Sequence, residues 1–325
     1  MFLAGDIGGT KTNLAVYAYN DGLLEVQRTA SFPSAGHASL AEIVRQFLEV
    51  DSSIRHACFG VAGPVKGGRV QVTNLPWVVD AAALQAELNF QQVSLLNDLE
   101  ANAYGIATLR PDELVSLNPE ADFVQTGNRA LIAAGTGLGE AGLMWDGVVH
   151  RPFSSEGGHS SFAPNDAIGD ELLVFLRQER GHVSWERVLS GMGMRNLYRF
   201  FRQRSGQPEP AWLVEELRTG DLAAVVTQAG LADRDPVCVE AVDCFTRNYG
   251  AEAGNLVLKM LALGGIYIGG GIAPKMMAKM QSPIFLEAFH HKGRLSPLLR
   301  STPVYVIMND KTALQGAAWF AAHLP

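Results

Sequence analysis

The chain has 325 residues, 47% of them hydrophobic and 18% charged, which is enough apolar material for about two packed domains and too much for a disordered chain. Lysine plus arginine number 26 against 33 acids, a net charge of −7, and this excludes a nucleic-acid backbone as the main partner because that partner needs a basic face. The 34 glycines exceed the usual share of about 7% and gather in a few turns.

Phe2 to Gly5 reads as a short buried strand, with no positively charged side chain before Thr10 and the acid Asp6 nearby, unlike a signal peptide. Thr12 to Tyr19 reads as a second strand, and Asp21-Gly22 as a hairpin turn into a third, Leu23 to Phe32. Leu40, Ile43, Val44, Phe47 and Leu48 share one helix face. His56 to Ala62 is a strand, Ala81 to Leu88 a helix, and Val93 to Leu96 a strand running into Asn97-Asp98 and a helix from Leu99. Leu131 to Ala134, Glu140 to Trp145 and Val148 to Pro152 form a second strand set, with Asp146-Gly147 as a turn. This repeats the opening plan of strand, glycine turn, strand, Asp-Gly turn, strand, and two unrelated hairpins would look the same. Residues from Asp166 to Leu263 are helical in pattern, with breaks near Gly181, Gly191 and Gly206. Met260 to Ala273 is the longest uncharged apolar stretch and is too short for a bilayer at about 20 residues. It contains a strand, Ile266 to Ile268, then Gly269-Gly270-Gly271 and a helix from about Pro274; Val304 to Met308 is a strand and Thr312 to His323 a closing helix. Alternating strands and helices make the class α/β. The domain change is expected near Thr108 to Asp112, giving a small α/β domain of 1–109 plus 310–325 and a large one of 110–309 with a helical insert. Cys58, Cys238 and Cys244, with no C-x-x-C spacing, fit a reducing cytoplasm.

Gly5-Asp6-Ile7-Gly8-Gly9-Thr10-Lys11-Thr12 departs from a P-loop at Thr10 and leads into a strand, so the Walker reading fails. What remains is a hairpin whose backbone N–H groups can approach an anion, with Asp6 placed for a hydrated Mg²⁺, or else an ordinary glycine turn. Gly137-Leu138-Gly139-Glu140-Ala141-Gly142 matches G-x-G-x-x-G, but a strand follows where a dinucleotide site needs a helix. Gly269-Gly270-Gly271 fits either a nucleotide lying on backbone or close strand–helix packing. Asn97-Asp98 ends a strand, so Asp98 is a candidate general base, while Asn97 with Glu100 has capping-box spacing. Glu156-Gly157-Gly158-His159 brings an acceptor and a donor together, without the cysteine or second histidine of a metal site. Glu186 falls after a Ser184 cap and reads as a ligand or as a surface acid at a helix start.

Taken in order, Asp6 to Thr10, Thr73-Asn74-Leu75-Pro76-Trp77, Leu96-Asn97-Asp98, Gly135-Thr136-Gly137-Leu138-Gly139, Glu156 to His159 with Ser161-Phe162-Ala163-Pro164, Glu186 with Leu189-Ser190-Gly191, and Gly269 to Ile272 resemble the bacterial glucokinase family, within the hexokinase, actin and heat-shock ATPase fold. The resemblance spans nearly the whole chain. It implies a duplicated, ribonuclease-H-like two-domain fold with a cleft that closes over glucose, and a cytoplasmic homodimer. It implies ATP with Mg²⁺: Gly5, Asp6, Ile7, Gly8, Gly9 and Thr10 as the first phosphate loop, Thr136 and Gly137 as the second, and Gly269, Gly270 and Gly271 as the adenosine loop. Asp98 matches the catalytic base, and Asn97, Asp98, Gly137, Glu156, His159 and Glu186 the sugar-binding residues. Met192 stands where the family often has proline, and the cysteine-rich zinc motif of the related repressor group is absent after His159.

The chemistry agrees with that resemblance. Three carboxylates, an amide and an imidazole suit a neutral polyol and would repel a sugar phosphate, which wants arginine or lysine. The expected reaction is transfer from ATP to the glucose 6-hydroxyl. The alternatives are a kinase of another neutral hexose, such as fructose or mannose, and a sugar-sensing regulator, which the strand at Phe2 and the acidic balance disfavour.

Overall fold

The structure is a computed structural model that describes residues 1–20, 22–48 and 54–323. Its strands in chain order are β1 (Phe2–Ile7), β2 (Lys11–Asn20), β3 (Leu23–Pro33), β4 (His56–Val61), β5 (Arg69–Gln71), β6 (Val78–Asp80), β7 (Gln92–Asn97), β8 (Leu114–Ser116), β9 (Arg129–Ala134), β10 (Leu138–Trp145), β11 (His150–Ser155), β12 (Ile266–Gly269) and β13 (Val304–Ile307). The helices are α1 (Leu40–Leu48), α2 (Ala81–Leu88), α3 (Asp98–Gly105), α4 (Ala167–Arg180), α5 (Gly191–Ser205), α6 (Ala211–Thr219), α7 (Leu222–Leu231), α8 (Pro236–Met260), α9 (Met277–Met280), α10 (Pro283–His290), α11 (Ser296–Arg300) and α12 (Thr312–Ala322). The chain divides into two units, and the main division falls between Glu113 and Leu114. Residues 151–154 and the chain from Asn309 onward group with the first unit.

The first unit holds a five-stranded sheet in the order β3-β2-β1-β4-β7. β1 runs antiparallel to β2 and parallel to β4, and β4 parallel to β7. Alternation along β1 sends Leu3 and Ile7 into a core with α1 and α2, and Ala4 into a second core with α12. The closing helix α12 lies close on α3, because a Cβ on Gly316 would stand 1.8 Å from the Ala101 carbonyl oxygen. The second sheet has the order β11-β10-β9-β12-β13-β8. β9 runs antiparallel to β10 and parallel to β12, so the strand plan of the first sheet recurs. The long helix α8, started by Pro236 with Asp235 as its side-chain cap, packs beneath this sheet in the largest core.

Most expected elements stand within a residue or two, and the differences have local causes. The third strand of the repeat starts at His150, not Val148, because Asp146 Oδ1 takes the N–H groups of Val148 and Val149 and holds both in the turn. In the matching first hairpin, Asp21 lies outside the described residues. The helix expected from about Pro274 is a 3₁₀ turn, Ala273–Met276, followed by the single turn α9, and α10 comes afterwards. No helix among the described residues is long and apolar enough to cross a membrane.

Candidate active site

In the first unit, register places the acids. Ile7, Val61 and Asn97 are level across β1, β4 and β7, so Asp6 and Asp98 lie at the same carboxyl edge of the sheet, two strand spacings or about 10 Å apart in backbone terms. The first glycine turn is a tight hairpin, with Gly8 N–H donating to the Lys11 carbonyl (2.9 Å). It is braced by Ser34, whose hydroxyl donates to the Gly8 carbonyl (2.8 Å) and whose N–H donates to that of Thr10 (3.0 Å). Gly9 packs on the backbone of Thr73, which brings the Thr73 to Trp77 motif to this turn. Thr10 is exposed at the tip, and β2 follows as a strand where a P-loop would need a helix. Burial pushes the Asp6 carboxyl above its ordinary range, and Asn13 Nδ2 at 3.4 Å opposes the shift only in part.

Asn97 caps α3. Its Oδ1 accepts the Leu99 N–H (3.0 Å), and the Glu100 carboxylate accepts the Asn97 N–H in return, which completes the capping box. Its Nδ2 donates to the Gly63 carbonyl (3.0 Å) and ties the adjoining loop. Asp98 is the first helical residue, and its Oδ1 also accepts from Leu99 N–H (2.9 Å).

In the second unit, Leu138 organises the site. Its N–H donates to Glu186 Oε2 (3.0 Å), and Gly158 packs so closely on its carbonyl that a Cβ there would stand 2.1 Å from the oxygen. Gly137 lies against the same Glu186 carboxylate. Glu186 is therefore half-buried and engaged, not a free surface acid. Its 3₁₀ turn, Trp185–Arg187, has Ser184 at the cap position without the expected side-chain bond, because the turn is fixed instead by backbone bonds to the 160–162 segment. His159 Nε2 lies 3.9 Å from Glu156 Oε2, both side chains well exposed, so Glu156, His159, Glu186 and Gly137 share one neighbourhood.

The other glycine turns of this unit meet as well. Gly191 N–H donates to the Gly135 carbonyl (2.9 Å), and Gly270, at φ +80°, lies on the Ala134 carbonyl, where only glycine fits. Gly269 closes β12 level with Ala133, and Thr136 is exposed on the loop between β9 and β10. Met192 occupies the first turn of α5, where N–H groups have no helical acceptor, so methionine fits as well as proline.

Sequence reasoning missed two groups. The buried Tyr249 hydroxyl on α8 accepts the Ala134 N–H (3.2 Å) and reaches the Gly269 carbonyl (3.4 Å), bracing the roots of both loops. Glu140 is an acid on an apolar strand beneath the Gly157–His159 turn, and its inward position in the alternation was a usable signal.

Comparison with known proteins gives one answer. The glucokinase family profile matches residues 3–324. The glucokinase of Nostoc punctiforme is 40% identical over 341 residues, covering 100% of this chain and 99% of that one. The crystal structure of a glucokinase from an Antarctic psychrotroph superposes with a TM-score of 0.88 at 32% identity and 99% coverage of both chains. A ROK family glucokinase from Streptomyces griseus, solved with glucose and AMPPNP, shares the fold with a TM-score of 0.63 at 20% identity and 99% coverage of both. The chain belongs to the glucokinase family, with the two-sheet α/β fold of actin-like ATPases and a kinase activity that draws on ATP.

Proposed function

We propose that this enzyme transfers the γ-phosphoryl group of ATP to the 6-hydroxyl of glucose, with Asp98 as general base. The observation that carries the reading is the gathering of Glu156, His159 and Glu186 beside a glycine turn, with no lysine or arginine among the assigned sugar residues. That set suits a neutral polyol next to an anionic donor held by backbone N–H groups. The Streptomyces griseus relative, solved with glucose and AMPPNP, carries the same pairing of ligands.

In the transfer, O6 of the sugar attacks the γ-phosphorus, the bond to the bridging oxygen of ADP breaks, and Asp98 takes the O6 proton. The transition state is loose, so positioning and charge neutralisation dominate. Asn97 holds the start of α3 and keeps one amide hydrogen for a sugar oxygen. Glu156 and Glu186 accept sugar hydroxyl protons, and the His159 imidazole completes the set. Gly5 to Thr10 and Thr136-Gly137 take the phosphates, and Gly269 to Gly271 the adenosine.

The donor set fits Mg²⁺ as the partner of ATP. No cluster of three or more His, Cys, Asp or Glu able to hold a metal occurs among the described residues, and Asp6 is a carboxylate whose burial is only partly compensated, by Asn13. A cation there would be held mainly by phosphate oxygens, with Asp6 as the protein's contribution. When bound, it supplies positive charge against the phosphates.

We place the enzyme in the cytoplasm, in keeping with its three buried free thiols, and as a homodimer on the family resemblance. Asp98→Asn tests the central assignment. General-base help is worth about 10²–10⁴-fold, so kcat should fall by at least that range while calorimetry still detects glucose binding. Unchanged turnover removes Asp98 from the role.

A further inference from the structure

Beneath the turn that carries Glu156 and His159 lies a pair of buried acids to which the phosphoryl transfer gives no role. Glu140 points inward from β10 with 1% of its surface exposed, and Glu252 on α8 is fully buried. Glu140 Oε2 presses on the Cα of Gly157, where a Cβ would stand 2.0 Å from it, so only glycine lets the turn sit on this carboxyl. The Ser155 hydroxyl stitches the two layers, donating to the Glu140 carbonyl (2.8 Å) and accepting from Gly157 N–H (3.1 Å).

The pair is short of donors. Glu252 uses both oxygens, Oε1 accepting from Lys259 Nζ (2.8 Å) and Oε2 from Asn255 Nδ2 (2.7 Å). Lys292 Nζ stops one residue away, on Asn255 Oδ1 (2.7 Å) and the Ala251 carbonyl (2.8 Å). Glu140 Oε1 is buried without a partner as a carboxylate, although the Glu252 carboxyl is within hydrogen-bonding reach. One proton supplies the missing donor; without it, two buried carboxylates share the Lys259 ammonium, with that of Lys292 one residue away. The other titratable groups at hand are the Tyr249 phenol on α8 and, on the turn above, Glu156 and His159.

We propose that Glu140 is a positioning residue for the hexose: a proton shared with Glu252 seats the Gly157–His159 turn, and loss of that proton loosens the turn and weakens hexose binding. The proposal rests on the assignment of Glu156 and His159 as sugar ligands. Burial and the Glu252 charge push the Glu140 carboxyl up to about 7, which puts the change near neutral pH.

The test is the glucose Kd by calorimetry at pH 6.0 and 8.5 in the wild type, Glu140→Gln and Glu252→Gln, with turnover recorded separately. The amide of Glu140→Gln donates to Glu252 and cannot ionise. The wild-type Kd should rise about tenfold between the two pH values, whereas Glu140→Gln should hold the pH 6.0 affinity at both. Glu252→Gln removes the facing charge and sets an amide donor within reach of Glu140, so its pH response should likewise be smaller than that of the wild type. Glu156 and His159 are common to all three proteins, so the difference between the proteins reports the acid pair. A wild-type Kd that does not change with pH, or a Glu140→Gln protein that either keeps the wild-type pH response or binds weakly at both pH values, overturns the proposal. Wild-type protein that binds glucose at neither pH instead defeats the sugar-site reading beneath it.

Discussion

In the first unit the acid comes before the glycine turn: Asp6 lies on β1, partly buried at the sheet edge, with Asn13 of β2 opposite. In the second unit the acid comes after it: the strand before the turn is apolar from Ala130 to Ala134, and Glu140 is buried on the strand that follows. The frames match, each with a central strand antiparallel to the next and parallel to a later one. The braces differ. Ser34 ties the first turn from within its own hairpin region, whereas Tyr249 on the long helix α8 holds the root of the second, and Glu140 lies under the neighbouring Gly157–His159 turn. Under the proposed function the two frames would serve two ends: the edge carboxylate a hydrated cation and phosphates, and the buried one under a loop the positioning of sugar ligands.

Three substitutions or conditions can break that comparison. The largest effect belongs to Gly158→Ala, because the new Cβ would meet the Leu138 carbonyl at 2.1 Å and backbone cannot step aside. Overpacking of about 1–3 kcal/mol predicts a fall in Tm of roughly 2 to 10 °C and loss of glucose affinity. In the first unit, Gly8→Ala meets its nearest atom at 3.2 Å and should leave Tm nearly unchanged. Equal losses by differential scanning calorimetry would erase the contrast.

Tyr249→Phe comes next. It strands the buried Ala134 N–H, at about 1–3 kcal/mol, and frees the roots of the two glycine turns that start after Ala134 and Gly269 and are proposed to hold the nucleotide. The KM for ATP should rise several-fold with the glucose KM little changed; a change in the glucose KM alone would separate Tyr249 from the nucleotide loops.

A further test reads stability against pH. Glu140 rises from 4.5 to about 7 in the folded protein, so folding favours its protonated form. Its contribution is complete below about pH 4.5 and is lost as pH rises through about 7. Urea midpoints across this window should fall more steeply in the wild type than in Glu140→Gln, and parallel curves would show that the acid pair is not felt in folding.

The glycine turns, the Asn97 capping box and the long elements were legible in the sequence because each is a local pattern: a spacing, a cap or a hydrophobic period. β5, β6 and β8 were not, since three residues cannot carry a period, and α10 was hidden behind the short turns that follow Gly271. In the site, Glu156 and His159 are near in sequence, but the bond from Leu138 N–H to Glu186 and the Glu140–Glu252 pair join distant segments. Only the packing of α8 and the 184–191 segment against the second sheet brings them together.

The most direct measurement is a coupled ADP-release assay of the purified chain with ATP and Mg²⁺ across glucose, fructose, mannose and a sugar-free control. The account predicts ADP formed in step with glucose 6-phosphate, glucose the preferred acceptor, and little release without sugar. No ADP with any hexose, or release that does not depend on the sugar, would contradict it.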